Sequence, residues 1–229
     1  MPNNTSKRDL RRAERGRKQT LNLILFSGLA LIVAGFLIYQ STRPVEITPI
    51  TPQSHPVPVD GTTIGNPGAP VLVEAFEDFQ CPACQNFTEQ IEPLILKNFV
   101  YTGIARFSYR FYPIIGNESV AAANAALCAN ANGRFWDFHD ILYANQLGEN
   151  RGAFSTRKLE AMGASLGLDA TSFNACLDAR TFDDAVQADF DEGRLRTVVG
   201  TPTIFVNGEI LPDFDYLTIA QAIELAAGE

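Results

Sequence analysis

The chain has 229 residues, 46% of them hydrophobic and 19% charged, with a formal net charge of −8. That is room for one sizeable domain with an appendage, and it excludes a wholly disordered or collagen-like chain. The acidic balance argues against a nucleic-acid partner; four Cys are too few for a disulfide-dense mini-scaffold, and two His leave little room for a His-built metal site.

The charge is divided unevenly along the chain. Residues 1–20 carry seven basic groups (Lys7, Arg8, Arg11, Arg12, Arg15, Arg17, Lys18) against Asp9 and Glu14, a net of +5, which leaves −13 on the rest. Residues 21–39, LNLILFSGLALIVAGFLIY, hold no charge. As a helix they span roughly 28 Å, close to the thickness of a bilayer's hydrocarbon core. The positive-inside rule then predicts a single-pass signal anchor, with the basic head cytoplasmic and the remainder across the membrane. A cleaved signal peptide is the competing reading, but the run is longer than a usual apolar region and exits through IYQSTRP without a small-residue cleavage site. A buried soluble-core helix leaves the flanking charge asymmetry unexplained.

Residues 40–60 contain five Pro. Such a stretch resists helix and sheet and reads as a semi-rigid, extended linker, with His55 a solvated member of it. No internal repeat is visible. From 61 to 229 the pattern is that of one α/β domain. A turn cluster at 65–70 precedes a buried strand at 71–76. A helix follows over 82–100, begun by Pro82 and kinked or divided at Pro93. A second strand covers 104–112. Helical segments near 118–131, 134–147, 155–166, 171–179 and 182–197 make an insertion of about 116–197. A strand at 203–206, a tight turn at Asn207-Gly208, a short strand near Ile210 and a helix at 215–227 end the chain. The order is that of an α/β sheet with a helical insertion.

Cys81-Pro82-Ala83-Cys84 is the sharpest chemical signal, because it follows a predicted strand and opens a predicted helix. Thiol–disulfide exchange needs two thiols able to close a small ring, and one of them as thiolate. A helix N-terminus offers free N–H groups and partial positive charge to that thiolate. Cys81 is therefore the expected nucleophile and Cys84 the resolving thiol. Zinc would normally need a second ligand pair, and a purely structural bridge over so short a loop would constrain little. Cys128 and Cys176 lie in separate helical segments. In an oxidising compartment they are expected to pair, closing a loop of about 49 residues worth roughly 4 kcal/mol; two buried thiols or a second redox pair are the alternatives. The aromatics around Phe135 and Trp136 read as core and His139 as a helix histidine. The acidic run Asp183, Asp184, Asp189, Asp191 and Glu192 reads as a solvated face. No phosphate loop or Ser-His-Asp pattern is present.

FEDFQCPAC at 76–84, the helical insertion and GTPTIFVNG at 200–208 together resemble the DsbA-like branch of the thioredoxin superfamily, over about residues 61–229. The resemblance implies a thioredoxin fold with a helical insertion, preceded here by the N-terminal transmembrane helix. It also implies a cis Thr201–Pro202 bond beside the cysteines, with Thr201 pairing to an extended substrate and tuning the redox potential. No cofactor beyond the Cys81–Cys84 disulfide and no metal are implied. Two departures stand out. Relatives often bury an acid six residues before the first Cys, where this chain has Ala75. Glu74 alternates to the other face, whereas Glu77 shares the parity of Ala75 and faces the cysteines if the strand extends to it. The second departure is the Pro-Ala dipeptide: Ala83 gives no charge or hydrogen bond to the thiolate, which points to a milder oxidant.

The reading is a membrane-tethered extracytoplasmic oxidoreductase that introduces disulfides into reduced exported proteins and is reoxidised by a DsbB-like or VKOR-like membrane oxidase. A reductase or isomerase, for example one serving cytochrome maturation, is the alternative within the class. A tethered chaperone or copper-delivery module is the alternative outside it.

Overall fold

The computed structural model describes the backbone of residues 7–42 and 44–228, and within 7–42 the side chains of Glu14, Asn22 and 24–39. Residues 1–6 and most side chains of the basic head lie outside the described residues. The chain separates into two compact units, 1–45 and 46–229. The first is one helix, α1 (Lys7–Thr42). Its apolar side chains are exposed, Ile24, Phe26, Leu31, Phe36 and Ile38 among them. Among the described residues no helix is long and apolar enough to cross a membrane.

The second unit is built on a six-stranded sheet. Its strands are β1 (Val59–Asp60), β2 (Thr63–Ile64), β3 (Val71–Glu77), β4 (Ala105–Phe111), β5 (Thr203–Val206) and β6 (Glu209–Ile210), in the order β1-β2-β4-β3-β5-β6. β3 runs parallel to β4 and antiparallel to β5. Flanked on both edges and covered on both faces, β3 is buried at every position but Leu72. This explains why VLVEAFE is mostly apolar rather than alternating. β5 and β6 form the hairpin turned by Asn207 and Gly208, both with positive φ.

The connection from β3 to β4 carries α2 (Pro82–Gln90), α3 (Glu92–Ile95) and a π-turn at Leu96–Val100. Pro93 has no N–H to continue the α2 ladder, so the helix divides at Ile91 and restarts with Pro93 in its first turn. Between β4 and β5 come α4 (Asn117–Asn130), α5 (Phe135–Ala144), α6 (Thr156–Ser165), α7 (Ala170–Asp178) and α8 (Asp183–Leu195). α4 is the hub, touching the other four. Its Ala122, Ala125, Ala126 and Ala129 are fully buried, small enough to let those helices approach closely. α8 packs back on β4, where a side chain at Gly193 would meet the Tyr112 ring at 2.7 Å. α9 (Tyr216–Ala227), capped by Asp215, closes the fold against β3 and β5.

Two expectations need correction. The Pro-rich stretch is not a free linker throughout, because the compact unit begins at Glu46. Ile47, Ile50 and Val57 pack on the core, and the Asn145 side chain bonds both the N–H and the carbonyl of Thr48 at 2.6 and 2.8 Å. Proline does not bar this, since its apolar neighbours gain burial without needing a ladder; Val59–Asp60 even forms β1. His55 accordingly is half-buried, its Nδ1 2.9 Å from the Tyr101 hydroxyl and its ring beside Trp136. Nor is the acidic run simply a solvated face. Asp189 accepts the Phe111 N–H, and with Glu192 it pairs with Arg110; Arg110 and Arg196 both reach the buried Glu74 beneath.

Cys128 in α4 and Cys176 in α7 are joined in a disulfide with Cα atoms 5.9 Å apart. It closes a 48-residue separation, so replacing both with Ser is expected to cost roughly 2–4 kcal/mol of unfolding free energy while leaving exchange at Cys81 intact. Urea unfolding followed by ellipticity, paired with an activity assay, checks both halves.

Candidate active site

Cys81 is the residue from which α2 starts, and Pro82 takes the first helical position. The preceding turn is set by Asp78: its carbonyl accepts the Cys81 N–H at 2.9 Å, and its Oδ1 accepts the Gln80 N–H at 2.8 Å. Its other oxygen accepts the N–H groups of Ile114 and Ile115, both at 2.9 Å, and so ties the turn to the loop after β4. Gln80 is fully buried; its amide donates to Ser119 Oγ and accepts the Asn150 N–H. Gln146 donates to the carbonyls of Phe79 and Cys81. The helical insertion thus holds the cysteine turn in place through side-chain amides. Sequence reasoning missed Asp78, Gln80 and Gln146. Two of them stand inside the FEDFQC motif, but nothing local shows that such polar groups will be buried.

Both active-site cysteines are free thiols, Cys84 fully buried and Cys81 8% exposed. The two are electrostatically unlike. A hydrogen bond from Cys84, joined by the Thr201 side chain and the N–H groups of Cys84 and Ala83, lowers the Cys81 pKa to about 6 against the opposing effect of burial. Burial pushes Cys84 well above the ordinary range, and its hydrogen bond to Cys81 and the nearby Glu77 add to the rise. In its protonated form Cys81 donates to the Thr201 carbonyl at 3.2 Å. The Thr201–Pro202 bond is cis.

Glu77 is the last residue of β3 and is 1% exposed. The strand extends far enough to keep it on the face of Ala75, under the cysteines. Its Oε2 accepts the Tyr143 hydroxyl at 3.1 Å; its Oε1 has no hydrogen-bond partner. Burial raises its pKa well above the carboxylate range, while Tyr143 and the nearby Cys84 thiol oppose the rise. Glu74 lies on the opposite face with Arg110 and Arg196. Ala83 packs against the core and offers the sulfur only its backbone. His139 is fully buried, ringed by Phe79, Tyr109, Phe135, Trp136 and Tyr143.

A dithiol at the N-terminus of a helix beside a cis-proline, on a thioredoxin-type sheet with a helical insertion, defines a DsbA-like thiol–disulfide oxidoreductase. The family model described as "Thioredoxin" matches residues 58–224, and the chain belongs to that family. Disulfide bond formation protein D of Bacillus subtilis (strain 168) is 32% identical over 165 residues, covering 70% of this chain and 74% of its own. The crystal structure of oxidised BdbD from Bacillus subtilis aligns with TM-score 0.70 and 30% identity, over 74% of this chain and 94% of that one. Chlamydia trachomatis DsbA shares the fold, with TM-score 0.64 and 24% identity over 80% of this chain and 96% of its own. The chain is a protein thiol–disulfide oxidoreductase.

The asymmetry of the pair has a direct readout. Since the thiolate is the reactive form, alkylation of Cys81 should fall as pH drops through about 6 and level off above it. Cys84 should stay inert until well above pH 9. Peptide mapping after pH-graded iodoacetamide treatment checks this, and equal labelling of the two at pH 7 would contradict it.

Proposed function

We propose that the protein is a membrane-tethered oxidant that passes its Cys81–Cys84 disulfide to reduced proteins outside the cytoplasm. The observation that carries this reading is Cys81 at the start of α2, where the Cys84 thiol, the Thr201 side chain and the N–H groups of Ala83 and Cys84 converge on its sulfur and lower its pKa to about 6, while burial raises that of Cys84. A stabilised thiolate favours the dithiol form, and so makes the disulfide a better oxidant. In the strongest oxidants of this kind the nucleophile has a pKa of about 3.5, and in thioredoxin about 7. A value between the two fits a milder oxidant, as the Pro-Ala dipeptide suggests. The name of the Bacillus relative, a disulfide bond formation protein, points in the same direction.

The reaction begins when a client thiolate attacks Cys81 Sγ. The client–Cys81 bond forms, the Cys81–Cys84 bond breaks, and Cys84 leaves as a thiolate. Glu77, kept protonated by burial and facing the pair, gives its proton to that thiolate. A second client thiolate then attacks the client sulfur and expels the stabilised Cys81 thiolate. The client has lost two electrons and the enzyme has gained them. Thr201 flanks the attacked sulfur and offers a backbone edge to an extended client. Val199, two residues earlier and 96% exposed, offers apolar contact to an unfolded one.

The tether rests on the uncharged run at 21–39 and on the exposed apolar side chains of α1. It would hold the enzyme beside a quinone-linked, DsbB-like or VKOR-like oxidase and raise their effective concentration. The test is transfer. The oxidised protein should convert a reduced, unfolded client to its disulfide form in a single turnover, and Cys81→Ser should abolish it. A protein that fails to oxidise the client, yet reduces insulin and stays oxidised against glutathione, would instead be a reductase. For the tether, the protein should stay with the membrane pellet after alkaline carbonate washing; release into the supernatant would remove the anchor.

A further inference from the structure

Beneath the packed segment 46–58 lies a cavity of about 600 Å³ that neither active-site cysteine lines. Its wall includes His55, Glu92, Tyr101, Asp140 and Tyr143. Glu92 is 5% exposed, and its Oε2 has no hydrogen-bond partner. His139 Nε2 lies 3.8 Å from that oxygen and is itself unpartnered. Burying such groups unsatisfied costs free energy, so their retention needs a reason. Tyr143 belongs to both places: it lines the cavity, and its hydroxyl donates to Glu77. Glu77 Oε1, Glu92 Oε2 on the cavity wall and His139 Nε2 beside Glu92 are buried without a hydrogen-bond partner, as are Thr88 Oγ1 and Trp136 Nε1, also on that wall.

The chemistry supplies the reason. Cys84 is fully buried, and a client bonded to Cys81 in the mixed disulfide would cover the opening by which Cys81 is reached. Each turnover still moves one proton to or from Cys84. We propose that the cavity is the outlet of a proton path serving Cys84: Glu77 exchanges the proton with the thiol, Tyr143 relays it, and Glu92 with His139 passes it to water in the cavity. The proposal rests on Glu77 being the proton partner of Cys84. When Cys84 leaves as a thiolate it takes the Glu77 proton; Glu77 is refilled through the Tyr143 hydroxyl, and that hydroxyl by water from the Glu92 carboxyl. The bulk solvent in the cavity then reprotonates Glu92. No electrons move along the path.

The charge environment suits the role. Burial lifts Glu92 to a pKa of about 8, with Glu77 and Asp140 adding to the rise and His139 opposing it, so that it holds a proton at neutral pH. The other titratable groups on the cavity wall are His55, Tyr101 and Glu89. As pH rises through about 8, Glu92 loses its proton, and donation toward Cys84 should slow.

The experiment uses the full chain in detergent. Reduction of the Cys81–Cys84 disulfide by dithiothreitol is timed in a single turnover from pH 5.5 to 9.5, with each rate divided by the reagent's thiolate fraction. For the wild type a fall-off near pH 8 is expected. Glu92→Gln and Tyr143→Phe should each slow the step at pH 7 by about ten-fold or more, and Glu92→Gln should lose the fall-off. Cys81 alkylation should keep its midpoint near pH 6 in both, a result that a general loss of structure would not give. Tyr143→Phe removes only a hydroxyl and carries the test alone if Glu92→Gln does not fold. A wild-type rate and profile in Tyr143→Phe or in folded Glu92→Gln overturns the path. Glu77→Gln separates the two layers: slow, it leaves Glu77 as the proton partner even if the path falls; at the wild-type rate, it removes that reading too.

Discussion

The structure depends on one arrangement: a cysteine placed where a helix begins, so that unpaired backbone N–H groups and a second thiol converge on its sulfur. Much of what makes Cys81 differ from Cys84 follows from where each stands at the start of α2. Cys81 starts the helix, keeps an opening to solvent, and receives hydrogen bonds from Ala83, Cys84 and Thr201. Cys84 is one turn in and fully buried, with the Glu77 carboxyl nearby; the single backbone hydrogen bond from Asp78 does not offset that burial. Two chemically identical side chains thus have their acidities shifted in opposite directions.

Much of the rest of the molecule keeps that arrangement rigid. β3 delivers the turn and ends on Glu77. The Thr201 carbonyl lies 3.2 Å from the sulfur. The helical insertion contributes Ser119, Tyr143 and Gln146, and the loop after α5 contributes Asn150; these fix Glu77, Gln80 and the carbonyls of Phe79 and Cys81. The Cys128–Cys176 bridge ties α4 to α7 within that insertion. The insertion is therefore part of the active site's framework as well as a cover for it.

The legibility of the sequence follows the range of the interactions involved. C-P-A-C between a strand and a helix, Pro93 as a break, and Asn207-Gly208 as a hairpin are local signals, and each appears in the structure where its chemistry requires. The parity argument for Glu77 also holds, because strand alternation is local once β3 is known to reach it. The packed state of 46–58 was not readable, since Pro content reports what a segment cannot form and says nothing of what its Ile and Val residues can touch. Asp78 and Glu92 were hidden for a related reason. Nothing in a single sequence distinguishes a carboxylate bound for the core from one bound for water; contacts between residues far apart in the chain decide it. His55 shows the same limit, for its partner Tyr101 is 46 positions away.

The central claim is that Cys81 alone of the pair is ionised at neutral pH. Proton uptake on reduction tests it most directly. Below the Cys81 pKa two protons should enter with the two electrons, and above it only one. The absolute potential, obtained by equilibration with glutathione from pH 5 to 8.5 and corrected for that couple's own pH dependence, should therefore fall by about 59 mV per pH unit at the acid end and by about 30 mV per unit above a break near pH 6. An unbroken slope of about 59 mV per unit through pH 8 would mean that both thiols stay protonated, and would contradict the account.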